Sequence, residues 1–338
     1  MPTFHEKVVQ VIPAEFYLIS SSDDTQQSNE AYNTSDFELP NPNGKSGGAC
    51  TSTLLQVLYE HGHETLTWMQ LLQLLKAKLD EYHQTPVLTT SRWLDVHHHP
   101  VRICPPKSGR RRALVIGINY VGQTGELKAC HNDARNVYSY LKEAQGFAES
   151  EMLLLIDDGK HAEPTKRNIQ DGFVRLTQYS QPGDVVFVSF SGHGGQTVDL
   201  DGDEDDGMDE TIIPLDFRKH GQIVDDEILD TFVKPMKKGV TVTVLMDCCH
   251  SGTVMDLPYV FSSADGTMKM EKNFKFGPSK QKQREEQQEQ MEKQQNGSDR
   301  SLEYGEQAPP LPVPKPRAPD PHRPAPPPPP PTCGCSVM

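Results

Sequence analysis

The chain has 338 residues, 35% of them hydrophobic, and a formal net charge of −14 at pH 7. That length holds one large domain or two small ones, and the acid excess argues against a nucleic-acid partner, which calls for a basic face. No segment has the apolar run of a signal peptide or a membrane span. Seven cysteines, odd in number and mostly dispersed, make no disulfide framework; a reducing, cytoplasmic compartment is expected.

In chain order, "AEFYLISSSDD" (14–24) predicts a strand running into an acidic, polar loop. "GGACTSTLLQVLYEHG" (47–62) and "TLTWMQLLQLLKAKLDEY" (65–82) predict two helices, the second with Trp68, Leu71, Leu72, Leu75 and Leu79 on one stripe. One strand and two amphipathic helices are too little for an independent core, so region 1–92 must pack onto the sheet built by the later residues. The three histidines 97–99 beside Asp95 suggest a metal at first sight. Consecutive residues of an extended segment point alternately apart, so a solvated loop is the expectation. Residues 93–111 read as a linker with the basic run "KSGRRR" at 107–112.

From residue 112 strands and helices alternate. "RALVIGIN" (112–119), "EMLLLI" (151–156), "GDVVFVSF" (183–190) and "GVTVTVLMDCC" (239–249) read as strands. Residues 127–147, 164–180 and 225–233 read as helices. This pattern predicts an α/β fold, a mostly parallel sheet with helices on both faces. The region 112–276 should form one folded unit with 1–92.

From about Gly277 the composition turns polar and charged, then proline-rich, with "PPLPVPKPRAPDPHRPAPPPPPP". Residues 277–338 are therefore expected to be disordered, with a polyproline II segment fit for a proline-recognition domain. The last four residues, "CSVM", match a prenylation box on Cys335, with Cys333 a candidate for a second lipid chain. Lipid at these cysteines would associate the chain with a membrane, and two chains hold better than one.

In open parallel sheets, sites lie outside the carboxyl ends of the strands. Two strands end in chemically loaded loops, "SFSGHGG" and "LMDCCHSG". A thiol with a free pKa of about 8.5 becomes a nucleophile when an imidazole stands beside it. His193 lies between glycines that expose it. Alternation sends Cys248 and Cys249 to opposite faces, and spacing alone does not choose between them. The acidic run "DLDGDEDDGMDE" (199–210) reads as a solvated loop or a divalent-cation site. It is no EF-hand: counted from Asp201, Gly207 comes one place late and Ile212 stands where the bidentate glutamate belongs.

"FSGHGG" together with "DCCHSG" resembles the metacaspases, caspase-like cysteine peptidases of plants, fungi, protists and algae. "RALVIGINY" and "ACHNDARNV" are similar to that family's first strand and helix. The resemblance implies a caspase-like three-layer fold, with Cys249 as nucleophile, since it precedes His-Ser-Gly, and His193 as general base. It implies cleavage of protein or peptide substrates after Arg or Lys, the pocket using Asp133, Ser191 and Asp247. Carboxylates at a pocket floor suit a guanidinium or ammonium, although Asp133 could equally pair locally on its helix. It also implies Ca2+ held by Asp209, Asp225, Asp226 and Asp256; Asp225 and Asp226 could instead cap a helix. Backbone amides of Gly194 and Cys249 are the expected oxyanion donors.

A metacaspase sheet should continue after the catalytic cysteine, yet here the chain runs into the polar tail. The missing part precedes it: "EFYLISSSDDTQ", "GGACTSTLLQVL", "LTWMQLLQLLKAKL" and "YHQTPVLTTSR" resemble the family's small-subunit region. Small subunit first and large subunit second is the permuted, type III arrangement. A packed sheet tolerates permutation when the new linker spans the old termini. The expectation is a monomeric, calcium-dependent endopeptidase. The alternative is a membrane-tethered, calcium-responsive scaffold that uses the same fold for binding alone.

Overall fold

The computed structural model describes residues 3–21, 30–31, 39, 47–62, 64–105, 107–198, 208–248, 254–262 and 267–270. In chain order the strands are β1 (Glu15–Ser20), β2 (Glu30–Ala31), β3 (Gly47–Gly48), β4 (Val87–Thr90), β5 (Arg111–Gly117), β6 (Met152–Ile156), β7 (Val185–Ser191), β8 (Gly194–Val198), β9 (Met208–Ile212), β10 (Ile223–Val224), β11 (Thr241–Asp247), β12 (Tyr259–Ser262) and β13 (Thr267–Met270). The helices are α1 (Phe4–Val11), α2 (Ala49–Glu60), α3 (Trp68–Leu79), α4 (Cys130–Glu143), α5 (Lys166–Tyr179), α6 (Phe217–His220) and α7 (Asp225–Ile228).

Eight of these strands form one sheet in the order β13-β12-β4-β1-β11-β7-β5-β6. From β1 to β6 every pairing is parallel; β4, β12 and β13 continue it antiparallel. The N-terminal strand β1 lies in the middle, hydrogen-bonded to β11 on one side and β4 on the other.

Alternation along the strands builds a core on each face. Phe16, Leu18, Leu114, Ile116, Val186, Val188, Val242, Val244, Met246 and Cys248 pack with Ile169, Phe173 and Leu176 of α5. Ile19, Ala113, Val115, Phe187 and Leu245 pack on the other side with α2, α3 and α4. The two interior strands β7 and β11 are buried at nearly every position, as apolar strands covered on both sides must be. This is the caspase-like three-layer α/β fold expected. The stripe Trp68, Leu71, Leu72, Leu75 and Leu79 is buried along α3, whose start is fixed by a capping box between Thr67 and Gln70.

Some elements differ from expectation. Helix α1 rests on a Thr3–Glu6 capping box. The expected glycine loop after β7 is short, because Gly194–Val198 pairs with β9 in a small separate sheet with β10. The expected helix 225–233 is a short α-helix, α7, followed by a π-helical segment, Leu229–Val233. Residues 97–99 form an exposed turn, with His98 Nδ1 2.9 Å from Asp95 Oδ2. Among the described residues no helix is long and apolar enough to cross a membrane.

The amino ends of β5 and β7 are tied by a buried ion pair. Arg112 Nη1 donates to Asp184 Oδ2 at 2.6 Å, and its Nε lies 3.1 Å from Glu151 Oε2. Burial raises the Asp184 carboxyl, but the Gln181 N–H, the Arg112 guanidinium and the Arg110 N–H outweigh it and hold it below its ordinary value. Asp184→Asn should cost about 3 kcal/mol in urea unfolding, because it leaves a buried cation with its partner reduced. The advantage of the wild type should be full above pH of about 4, the unfolded carboxyl value, and vanish on acidification through the lower folded one.

Candidate active site

His193 stands at the carboxyl end of β7, half-buried, in the turn to β8. Its backbone N–H donates to the Tyr120 hydroxyl at 2.9 Å, and its carbonyl accepts from Ile213 N–H at 3.1 Å. Its Nε2 lies 2.7 Å from the Gly125 carbonyl. A carbonyl only accepts, so Nε2 carries a proton and the neutral ring keeps its lone pair at Nδ1. Gly125 has φ +86°, a region that favours glycine. A side chain there would also crowd Nε2, at 3.3 Å from its Cβ. Burial keeps the Tyr120 hydroxyl protonated, its pKa well above the usual range although the His193 N–H pulls it down.

Asp247 ends β11 and sits in register with Ser191, the last residue of β7. Asp133 lies in the first turn of α4. Both carboxylates are buried, at 1% exposure for Asp133 and 6% for Asp247, and Ser191 is buried as well. Gly48 N–H is shared between the two Asp133 oxygens at 2.8 and 2.9 Å. Thr51 N–H and Thr51 hydroxyl both donate to Asp247 Oδ2, at 2.9 and 2.7 Å. The start of α2, whose N-cap Gly48 has no side chain, is thus capped from outside by two carboxylates that are favoured at a helix N-terminus. The same first turn of α2 carries Cys50. Its thiol is pushed well above its usual range by burial, then by Asp247 and Asp133.

The three residues expected to bind substrate are therefore together. Gly48, Cys50 and Thr51, in a segment read only as a helix, join them, while Tyr120, Gly125 and Ile213 hold His193. The sequence offers one signal for the first group, the "GG" that opens the helix, and none for the second. Cys248 is buried at 1% exposure within the apolar core, on the face of Val244 and Met246. Cys249 lies outside the described residues, as do Cys333 and Cys335.

The acids expected to hold metal lie on β9, α7 and the turn before β12. Asp225 accepts the Glu210 N–H at 2.9 Å and the Asp226 N–H at 2.7 Å. Its pKa is pushed up to about 10, first by burial and next by Asp256, with Asp209 and Glu210 adding to the rise against the Asp226 N–H. Asp256 sits in the left-handed region at φ 46°. A buried carboxyl crowded by other acids is a group that a divalent cation neutralises, so these residues fit one. Among the described residues no three His, Cys, Asp or Glu side chains are themselves arranged to hold a metal. The acids are neighbours, and most of the acidic run, 199–207, lies outside the described residues.

A parallel sheet with an oriented histidine past the carboxyl end of β7, and a buried acid at the end of β11 beside another from the start of α4, is the frame of a caspase-like cysteine peptidase. The family model described as "Metacaspase, peptidase C14 domain" matches residues 111–258. The chain is 43% identical over 283 residues to Metacaspase III c of Phaeodactylum tricornutum, covering 81% of this chain and 84% of that one. It is 52% identical over 158 residues to Metacaspase-1A of Neurospora crassa and 51% over 158 residues to Metacaspase-1 of Emericella nidulans. Those matches take in 46% of this chain but only 35% and 39% of those proteins. The chain belongs to the metacaspase family of cysteine peptidases. The longest of these matches is too long to fit between residue 111 and the C-terminus, so it includes the N-terminal region, and the small-subunit-first order is shared with that relative.

Gly48→Ala tests the capped helix. The new Cβ would collide with Asp247 Oδ2 and lie 2.9 Å from Asp133 Oδ2, so α2 or the acids must move. A loss of about 1–3 kcal/mol in urea unfolding is expected.

Proposed function

We propose that the protein is a calcium-dependent cysteine endopeptidase that cleaves after Arg or Lys. The observation that carries this is the pair of buried carboxylates, Asp133 and Asp247, beside Ser191 and at the same sheet edge as His193. Two acids and a hydroxyl match a guanidinium or an ammonium in charge and hydrogen bonding. They repel an aspartate.

In the mechanism, Cys249 is the nucleophile and His193 Nδ1 takes its proton. Burial of Cys248 in the core supports Cys249 as the reacting thiol. The bond from Nε2–H to the Gly125 carbonyl holds the ring in the tautomer that leaves Nδ1 basic. The same bond strengthens when the ring becomes an imidazolium. The thiolate adds to the scissile carbonyl, and the Gly194 and Cys249 amides hold the oxyanion. His193 then protonates the leaving amine, and the C–N bond breaks to a thioester. Water, deprotonated by His193, attacks that thioester and returns the thiol and a carboxylic acid.

Asp209, Asp225, Asp226 and Asp256 would hold calcium, which when bound would neutralise their charge and so join β9, α7 and the turn before β12. Glu210 is a further acid of this cluster.

Cys249→Ala should abolish cleavage of an arginyl peptide while the protein unfolds at the wild-type urea concentration; retained cleavage rejects the nucleophile. Asp247→Asn should lower kcat/KM for that peptide by roughly 30-fold or more, with aspartyl peptides uncut throughout. Cleavage of neither peptide, with calcium or with chelator, would favour a binding scaffold. Calcium must displace the proton from Asp225, so its apparent affinity should rise with pH. Titration of activity and of binding heat at two pH values measures this, and Asp256→Asn should weaken the affinity at least ~10-fold.

A further inference from the structure

The loop from Asn119 to Leu127 follows β5 and closes on itself, Leu127 N–H donating to the Asn119 carbonyl at 2.8 Å. Two of its residues reach His193. Gly125 gives its carbonyl to the imidazole. Tyr120 makes three contacts of its own. Its hydroxyl accepts the His193 N–H at 2.9 Å and donates to the Ile213 carbonyl at 2.6 Å. Its ring centre lies 4.8 Å from that of the imidazole. Ile213 N–H in turn donates to the His193 carbonyl, so one hydroxyl ties the residue before β8 to the residue after its partner strand β9.

The backbone of Tyr120 is left-handed, at φ 54°. A bulky L-residue rarely adopts that conformation and keeps it only where its surroundings impose it. Asp157 supplies the constraint. Its carboxylate accepts the N–H groups on either side of Tyr120, from Asn119 at 2.8 Å and from Val121 at 3.0 Å, and lies 2.5 Å from His131 Nε2. A tyrosine that merely filled the core would need no such backbone. This one gains from it a hydroxyl aimed at the backbone of His193.

We infer that Tyr120 is a positioning residue for His193, and that Asp157 is the clamp that holds Tyr120 in place. The inference rests on His193 being the general base. The Tyr120 hydroxyl holds backbone atoms of His193 and Ile213, so its loss should act on the chemical step and leave binding alone.

The test uses the full-length protein with saturating calcium and an arginyl peptide, and measures kcat, KM and melting temperature separately. Tyr120→Phe keeps the ring and removes the hydroxyl. It should lower kcat by about 10- to 100-fold, a part of what general-base catalysis contributes, while KM moves less than about twofold. Tyr140→Phe is the control. It removes another buried hydroxyl, bonded to Gln145 Nε2 at 2.8 Å and packed on the opposite face of the sheet. It should leave kcat unchanged even where it lowers the melting temperature. A folded Tyr120→Phe protein with wild-type kcat overturns the inference. If that variant does not fold, Asp157→Asn decides, since it keeps Tyr120 and loosens its loop: a loss confined to kcat supports the role and wild-type kcat removes it. His193→Ala separates the two levels. An active His193→Ala protein overturns the base assignment, and the positioning role with it. An inactive one beside a fully active Tyr120→Phe protein overturns the positioning role alone.

Discussion

The parallel pairing of Glu15–Ser20 with Thr241–Met246 is the contact on which the rest of the molecule depends. It joins the first twenty residues of the chain to the strand whose end carries Asp247. Without it β11 would be an edge strand, its apolar faces half uncovered and its backbone groups open to other chains. With it β11 becomes interior, and β4 and β12 can extend the sheet beyond β1. The fold is indifferent to chain order here, because the hydrogen bonds of a ladder do not record which strand was made first.

A second consequence is chemical. The same pairing seats the helices after β1 on the face of the sheet occupied by α4, and this delivers the amino end of α2 to Asp133 and Asp247. Two carboxylates buried side by side repel each other. Here the repulsion is offset by the Gly48 and Thr51 N–H groups and the Thr51 hydroxyl, all donated from the helix start, with its favourable dipole. The acids can therefore stay buried near the site, where they would match a basic side chain. The residues that stabilise them are distant from both in the chain, so this pair of acids is held only in the assembled sheet.

Much of this was legible in the chain and some was not, for identifiable reasons. β5, β6, β7 and β11 announce themselves because strands covered on both faces are written as continuous apolar runs. The α3 stripe is legible because a helix with one buried face repeats at its own period. His193 was legible because glycines flank it at a strand end. β4 was not, since "VLTT" is four residues long and comes after a proline. β8 was hidden by Gly194 and Gly195, a residue type depleted in strands. The partners of the site were the least legible. Gly125 acts through a carbonyl, Gly48 through an N–H and the lack of a Cβ, and Tyr120 through a hydroxyl set by an uncommon φ. None of these leaves a side-chain signature in the sequence.

The permuted order also changes what the basic linker can do. A peptidase with a pocket for arginine would be expected to cut its own "RRR" at 110–112, and proteolysis needs an extended segment that can leave its neighbours to enter a cleft. These arginines cannot leave. Arg110 N–H donates to Asp184 Oδ1 at 2.8 Å, and its carbonyl accepts from Val185 N–H at 2.9 Å. Arg111 and Arg112 are already inside β5, in register with Val185 and Val186, and Arg112 is buried in its ion pair. To be cut after any of the three, the start of β5 would first have to leave β7. Lys107, at φ 62° in the turn ahead of them, has no such ladder bonds. Of the basic residues of this linker, the exposed Arg102 and Lys107 are the ones that the β5–β7 ladder does not hold. Because β1 is already paired with β11, no cut is needed to bring the two regions together.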